Sequence, residues 1–218
     1  MKTVIIGASG GIGAALAETL EDEGAAVQRL SRPELDVTDE SSIARAAANA
    51  GSPELVVVAT GLLHEGEHGP EKALRDFDPV WLARQYAVNA IGPALVAKHF
   101  LPIMPRNGPS VLAILSARVG SISDNRLGGW YGYRASKAAL NQFVRTLAIE
   151  DKRRNDRGIV VALHPGTVDT RLSKPFQQAG RDLFAPDRAA VQLLDVIDGL
   201  KPQDSGKLFS WDGAEIAP

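Results

Sequence analysis

Residues 1 to 13 read MKTVIIGASGGIG, an apolar run that ends in a glycine cluster. The run is too short for the core of a signal peptide or for a membrane span. Thr3 to Ile6 suits a buried strand, and the residues from Ile12 onward, IGAALAETLEDE, place apolar groups at helical spacing. Gly7, Gly11 and Gly13 therefore stand at a strand-to-helix turn. Glycine tolerates positive φ and lets the backbone approach a pyrophosphate, while the new helix offers unpaired N–H groups and the positive end of its dipole. A strand before and a helix after is the context this motif needs.

Working outward, similar short runs rich in Val and Ile recur at Ala26 to Leu30, Leu55 to Ala59, Val111 to Leu115 and Ile159 to Leu163. Helical patterns over 12–23, 41–50, 79–104 and 134–151 alternate with them. That βαβ order predicts an α/β Rossmann-type fold, a doubly wound and mainly parallel sheet with helices on both faces. Pro102, Pro105, Gly108 and Pro109 end the long central helix. Between Leu30 and Leu35 there is no room for a crossover helix, so Leu35 to Val37 is either a very short third strand or an extended edge.

The chain has 218 residues, with 44% hydrophobic and 23% charged residues, which predicts one folded domain over 1–218. A net charge of -2 gives no reason to expect a nucleic-acid or membrane partner. The absence of cysteine excludes disulfides, thiolate zinc sites and cysteine nucleophiles, and fits a cytoplasmic protein.

After the second strand come Ser31 and Arg32, where an acidic residue would bond an adenosine ribose and repel a 2′-phosphate. Arg32 reads either as a phosphate partner or as a solvated surface arginine. Residues 64 to 68, HEGEH, match a zinc-protease pattern in letters only. That chemistry needs a helix, and Gly61, Gly66, Gly69 and Pro70 predict a loop without a metal. Tyr133 and Lys137, four apart at the start of a helix, sit on one face. An ammonium beside a phenol lowers the phenol's pKa and makes it a usable acid or base. Tyr131 faces elsewhere.

Together these motifs resemble the short-chain dehydrogenase/reductase family. GASGGIG is similar to its cofactor glycine motif, covering Gly7, Ser9, Gly11, Ile12 and Gly13, and LDVTD matches its adenine-contacting segment at Asp36 and Val37. Ala59, Thr60 and Gly61 stand where the family has Asn-Ala-Gly. VNAIGP supplies Asn89, YRASK supplies Tyr133 and Lys137, and HPGTVDT supplies Pro165, Gly166, Val168 and Thr170 on the nicotinamide side. GSISDN, YRASKAALN and GKLFSWDGAEIAP resemble the branch of bacterial C-factor signalling proteins and sniffer-type carbonyl reductases.

The resemblance implies hydride transfer between NADP(H), with NAD(H) as the alternative, and a small carbonyl or alcohol substrate. Tyr133 would be the acid/base, Lys137 would tune it and bond the ribose, and Asn89 would hold a relay water. It also implies a homodimer or homotetramer through the fourth and fifth helices. One departure stands out: the family's substrate-binding serine falls on Ala117. Ser116 is one position early and faces the other way in an extended strand, so only a bulge would bring it round; Ser121 and Ser123 lie in the next loop. Loss of that donor costs about 3 kcal/mol at the barrier. A dinucleotide-binding signalling protein with little turnover is therefore the alternative function. Residues 171–187 read either as a substrate lid or as a solvated connection.

Overall fold

The computed structural model describes residues 1–177 and 183–218. Six parallel strands and one antiparallel edge strand make the sheet. They are β1 Lys2–Ile6, β2 Ala26–Leu30, β3 Leu55–Val58, β4 Ser110–Leu115, β5 Gly158–His164, β6 Leu208–Ser210 and β7 Glu215–Ile216, in the order β2-β1-β3-β4-β5-β6-β7. Helices α1 Gly11–Asp22, α2 Glu40–Ala50, α3 Pro79–Tyr86, α4 Gly92–Phe100, α5 Tyr131–Asp151 and α6 Pro186–Gly199 cover it.

Alternation along the strands divides the core in two. Val4, Ile6, Val56, Val58, Leu112 and Ile114 face Ile43, Val96, Phe100, Leu140 and Val144 from α2, α4 and α5. Ile5, Leu55, Val57, Ala113 and Leu115 face Leu16 and Leu20 from α1 and Leu193 and Ile197 from α6. Strands with both neighbours apolar are what the continuous Val/Ile runs require. The doubly wound expectation is met. Among the described residues, no helix is long and apolar enough to cross a membrane.

One sequence expectation is corrected. Leu35 to Val37 is no strand. It is a loop with Leu35 and Val37 buried, packed so closely under α4 that a Cβ on Gly92 would lie 2.8 Å from Val37. The central helix expected over 79–104 runs without a break from Pro79 to Ile103, with a π-turn at Ala87–Ile91 between α3 and α4 and a 3₁₀ turn at its end. Pro93 has no N–H to offer the Asn89 carbonyl four residues back, so the α-helical ladder cannot run through this point. The fold adds α6, whose buried Ala189, Ala190, Leu193, Leu194 and Ile197 recur at helical spacing, and the short strands β6 and β7.

Strand order reverses at β1, with β2 on one side and β3 on the other, and ligands bind at such a switch point beyond the strand ends. The turn there is tightly drawn. Gly7 sits at φ +90°, a Cβ on it would lie 3.0 Å from Ala59, and a Cβ on Gly13 would lie 2.3 Å from the Gly7 carbonyl oxygen. Gly13→Ala is therefore expected to push α1 off the turn and to lower stability by about 1–3 kcal/mol. Thermal unfolding checks this, and an unchanged midpoint would contradict it.

Candidate active site

Beyond the C-terminal ends of β1, β3, β4 and β5 lie two cavities that share Ala59, Thr60 and Gly61 and so form one cleft. The first, about 250 Å³, is bordered by Gly7, Ser9, Ser31, Arg32, Asp36 and Val37. The second, about 450 Å³, is bordered by Ile12, Tyr133, Lys137, Pro165, Gly166, Val168 and Thr170. Most sequence-expected residues thus meet in one place. Gly11 and Gly13 do not border the cleft but shape its floor, and Asn89 lies wholly buried behind it.

The first cavity suits a dinucleotide phosphate. Helix α1 has Gly10 at its N-cap position, with no side chain to cap it, so its leading N–H groups face the turn unpaired. Arg32 is exposed at the rim and makes no ion pair among the described residues. Asp36 accepts from the Thr38 main-chain N–H at 2.8 Å and the Thr38 hydroxyl at 2.7 Å, which holds its pKa below the usual carboxylate range. Arg84 on α3, paired with both oxygens of Glu65 at 3.2 Å, and Arg171 also border this cavity. Neither arginine carries a sequence signal, because each reaches the cleft only through the fold.

In the second cavity Tyr133 and Lys137 are both buried, at 7% and 2% exposure. The Lys137 ammonium donates to the Leu115 carbonyl at 2.8 Å and lies 5.9 Å from the centre of the Tyr133 ring. Burial alone pushes Tyr133 up to about 12 and Lys137 down to about 8. With Lys137 directed at a carbonyl in this arrangement, desolvation outweighs its attraction for a phenolate. Asn89 accepts from the Leu62 N–H at 2.7 Å and spends its amide hydrogens on the Leu62 carbonyl and Ser136 Oγ, at 2.8 and 3.1 Å.

None of the three candidate serines offers its hydroxyl to this cavity. Ser116 borders it, yet its hydroxyl donates to Asn141 Oδ1 on α5 at 2.7 Å. Ser121 Oγ accepts from the Asp124 N–H at 3.1 Å, and Ser123 donates to the Pro218 carbonyl. Ala117 instead packs with Leu63 and Tyr133, and Val119, Trp130, Leu172 and Phe176 complete an apolar wall. His164, which the sequence reading passed over, borders the cavity too. Burial, then the nearby Arg118, lowers its pKa to about 4, and its buried Nδ1 has no partner. Thr60 Oγ1 is likewise buried without a partner.

The HEGEH segment forms a turn, bridged Glu65 to His68, and not the helix a zinc protease needs. His64 meets the Arg171 carbonyl at 3.1 Å, while His68 stacks on Trp81. The expected substrate loop over 171–187 is described in part: Lys174–Phe176 forms a short 3₁₀ turn and Phe184 pairs with Val168, while 178–182 lie outside the described residues.

Comparison with known proteins agrees with this geometry. The family model for enoyl-(acyl carrier protein) reductase matches residues 30–196. The C-signal protein of Myxococcus xanthus is 39% identical over 144 residues, 66% of this chain and 82% of its own length. The 1-hydroxy-2-glutathionyl-2-methyl-3-butene dehydrogenase of Rhodococcus sp. strain AD45 is 32% identical, with 98% of each chain covered. Among solved structures, an NADPH-bound carbonyl reductase from chicken fatty liver superposes with a TM-score of 0.84 at 23% identity, covering 100% of this chain and 98% of that one. The family-model match over residues 30–196, with 32% identity to a dehydrogenase across 98% of the chain, makes this protein a member of the short-chain dehydrogenase/reductase family of oxidoreductases.

Proposed function

We propose that this chain is an NADP(H)-dependent reductase of apolar carbonyl compounds, with Tyr133 as the acid. The observation that carries this reading is a buried Tyr133 with the buried Lys137 ammonium 5.9 Å from its ring centre, in a cleft whose other half suits phosphate. NADPH when bound supplies the hydride. The α1 N-terminus and Gly7 to Gly13 would receive its pyrophosphate, with Ser31 and Arg32 receiving the 2′-phosphate and Asp36 and Val37 beside the adenine. Ala59, Thr60, Gly61, Pro165, Gly166, Val168 and Thr170 would border the nicotinamide half, consistent with the NADPH-bound chicken relative.

Tyr133 at about 12 stays protonated across the physiological range. The proton that reduction must deliver to the carbonyl oxygen is therefore present on the phenol, and a cation close to the oxygen would make its transfer easier. Lys137, as ammonium, would bond the ribose and help return a proton to the phenol. A relay water falls to the oxygens of Asn89, since both amide hydrogens are committed and its main-chain carbonyl has lost its helical donor to Pro93. With Ala117 in place of a hydroxyl, the best substrates carry an already polarised carbonyl, an aldehyde or quinone, on an apolar body that packs against the wall formed by Trp130 and Phe176.

Three measurements test this. Tyr133→Phe is expected to lower kcat for NADPH-driven aldehyde reduction by about 100-fold or more, the scale of a lost general acid. Unchanged turnover would refute the assignment. Arg32→Glu is expected to weaken NADPH binding on the order of 10- to 100-fold while leaving NADH nearly untouched, the worth of a charge-assisted phosphate contact. Equal effects on both cofactors would return Arg32 to the surface.

The pH profile follows from Lys137, whose ammonium form prevails below about 8. Reductive kcat/KM should be level near neutrality and fall as pH rises through about 8; a profile level to pH 10 would exclude a required ammonium. The second reading, a regulatory binder, is favoured by Ala117 and by the identity to C-signal. Tight NADPH binding with no consumption across aldehydes, ketones and quinones would select it.

A further inference from the structure

Helix α5 carries both Tyr133 and Lys137, yet its own sequence supplies no cap for its first turn. Trp130 stands at the N-cap position with no side-chain acceptor and in the left-handed region, at φ 53° and ψ 43°. The leading N–H groups of a helix need partners from outside when no local side chain serves. Here they come from a residue far away in sequence. Glu71 is buried to 3% exposure, and its main-chain carbonyl accepts the Trp130 N–H. Its Oε2 accepts the Gly132 N–H at 2.9 Å, and its Oε1 accepts from Gln85 Nε2 on α3, also at 2.9 Å.

The junction has no slack. A Cβ on Gly132 would lie 2.6 Å from Gln85 Nε2, 2.7 Å from Leu82 Cδ2 and 2.8 Å from Glu71 Oε1. A buried acidic side chain is costly unless its oxygens are hydrogen-bonded, and a helix N-terminus is where negative charge is favoured. Both conditions hold at Glu71. Its contacts fall on residues 130 and 132, either side of Tyr131 and directly before Tyr133. Trp130, held by the same residue, is part of the cavity wall, its ring 6.2 Å from that of Tyr133. Glu71 itself borders neither cavity of the cleft.

We propose that Glu71 is a positioning residue for the reaction: by capping α5 from the 59–78 connection, it fixes the first turn and so the placement of Tyr133 and Trp130 over the cavity. The proposal rests on Tyr133 being the acid. It makes a specific statement about length and charge. Gln85 Oε1 is buried without a partner, so in Glu71→Gln the new amide can donate to it once the Gln85 amide turns over, and the new carbonyl still accepts from Gly132. Glu71→Asp keeps the charge but withdraws the oxygens by one methylene. Positioning requires the first variant to work and the second to fail.

The experiment compares the full-length protein with Glu71→Gln, Glu71→Asp and Glu71→Ala. It measures NADPH affinity by fluorescence titration, kcat and KM with nitrobenzaldehyde, the solvent deuterium isotope effect on kcat, and hydrogen exchange by peptide. Glu71→Asp and Glu71→Ala are expected to lose about 100-fold in kcat, the scale of a misplaced reacting group, with NADPH affinity held and a larger solvent isotope effect. Exchange should quicken over 130–137 alone. Glu71→Gln should stay within about threefold of the unmodified protein.

Glu71→Gln as impaired as Glu71→Asp would overturn the proposal, and so would a loss of exchange protection spread over the whole chain. Should Glu71→Ala not fold, the Gln and Asp pair decides alone. If the unmodified protein consumes no NADPH, the reductase reading fails by itself. The exchange comparison then decides whether Glu71 caps the helix: confined quickening supports it, and unchanged exchange overturns it.

Discussion

The structure depends on how closely the first two turns of α5 approach the end of β4. A Cβ on Gly120 would lie 2.8 Å from the main chain and Cβ of Lys137, so the helix and the 3₁₀ turn Arg118–Gly120 touch backbone to backbone. That contact lets the Lys137 ammonium reach the Leu115 carbonyl, which leaves a buried cation with a polar partner. Other ties point to the same turns. Asn89 donates to Ser136, whose hydroxyl returns to the Tyr133 carbonyl at 2.9 Å, and Arg134 bonds the Gly129 and Val119 carbonyls. A long helix is thereby held at the end that carries the chemistry.

Such burial decides the electrostatics. Spacing of four residues guarantees that Tyr133 and Lys137 share a face, but not that the ammonium points at the phenol. It points at a strand end, and desolvation then drives both groups toward their neutral forms. A phenol that resists ionisation is in its donor form at neutral pH, but it is a weaker acid than a free tyrosine. The same low-dielectric surroundings keep His164 neutral, so the imidazole beside the cavity offers one donor and one acceptor and no charge.

Local signals were legible where the chemistry is local. The strand-glycine-helix turn at Gly7 to Gly13, the Val/Ile strands and the Tyr133/Lys137 pair were all read from spacing, and they meet as expected. What escaped is tertiary. Leu35 to Val37 looks like a strand because its apolar residues are buried, but they are buried under α4 and pair with nothing. β6 has three residues and β7 has two, too few to show a period. Glu71 caps a helix that starts some sixty residues later, and Arg84 and Arg171 reach the cleft from α3 and the loop after β5. No window of sequence contains such partners together.

The serine question shows what a one-residue shift does. Ile114 and Ser116 point to the α5 side of the sheet, where Ser116 is taken up by Asn141. Ala117 turns the other way, into the cavity, and packs there with Leu63 and Tyr133. A hydroxyl that would have faced the substrate is thus exchanged for one that ties strand to helix, and a methyl group enters the site. The gain is a drier wall around Tyr133, continuous with Trp130 and Phe176. The loss is a donor to the developing oxyanion. Both changes favour the same substrates: apolar molecules are admitted by the wall, and carbonyls already electron-poor need the missing donor least.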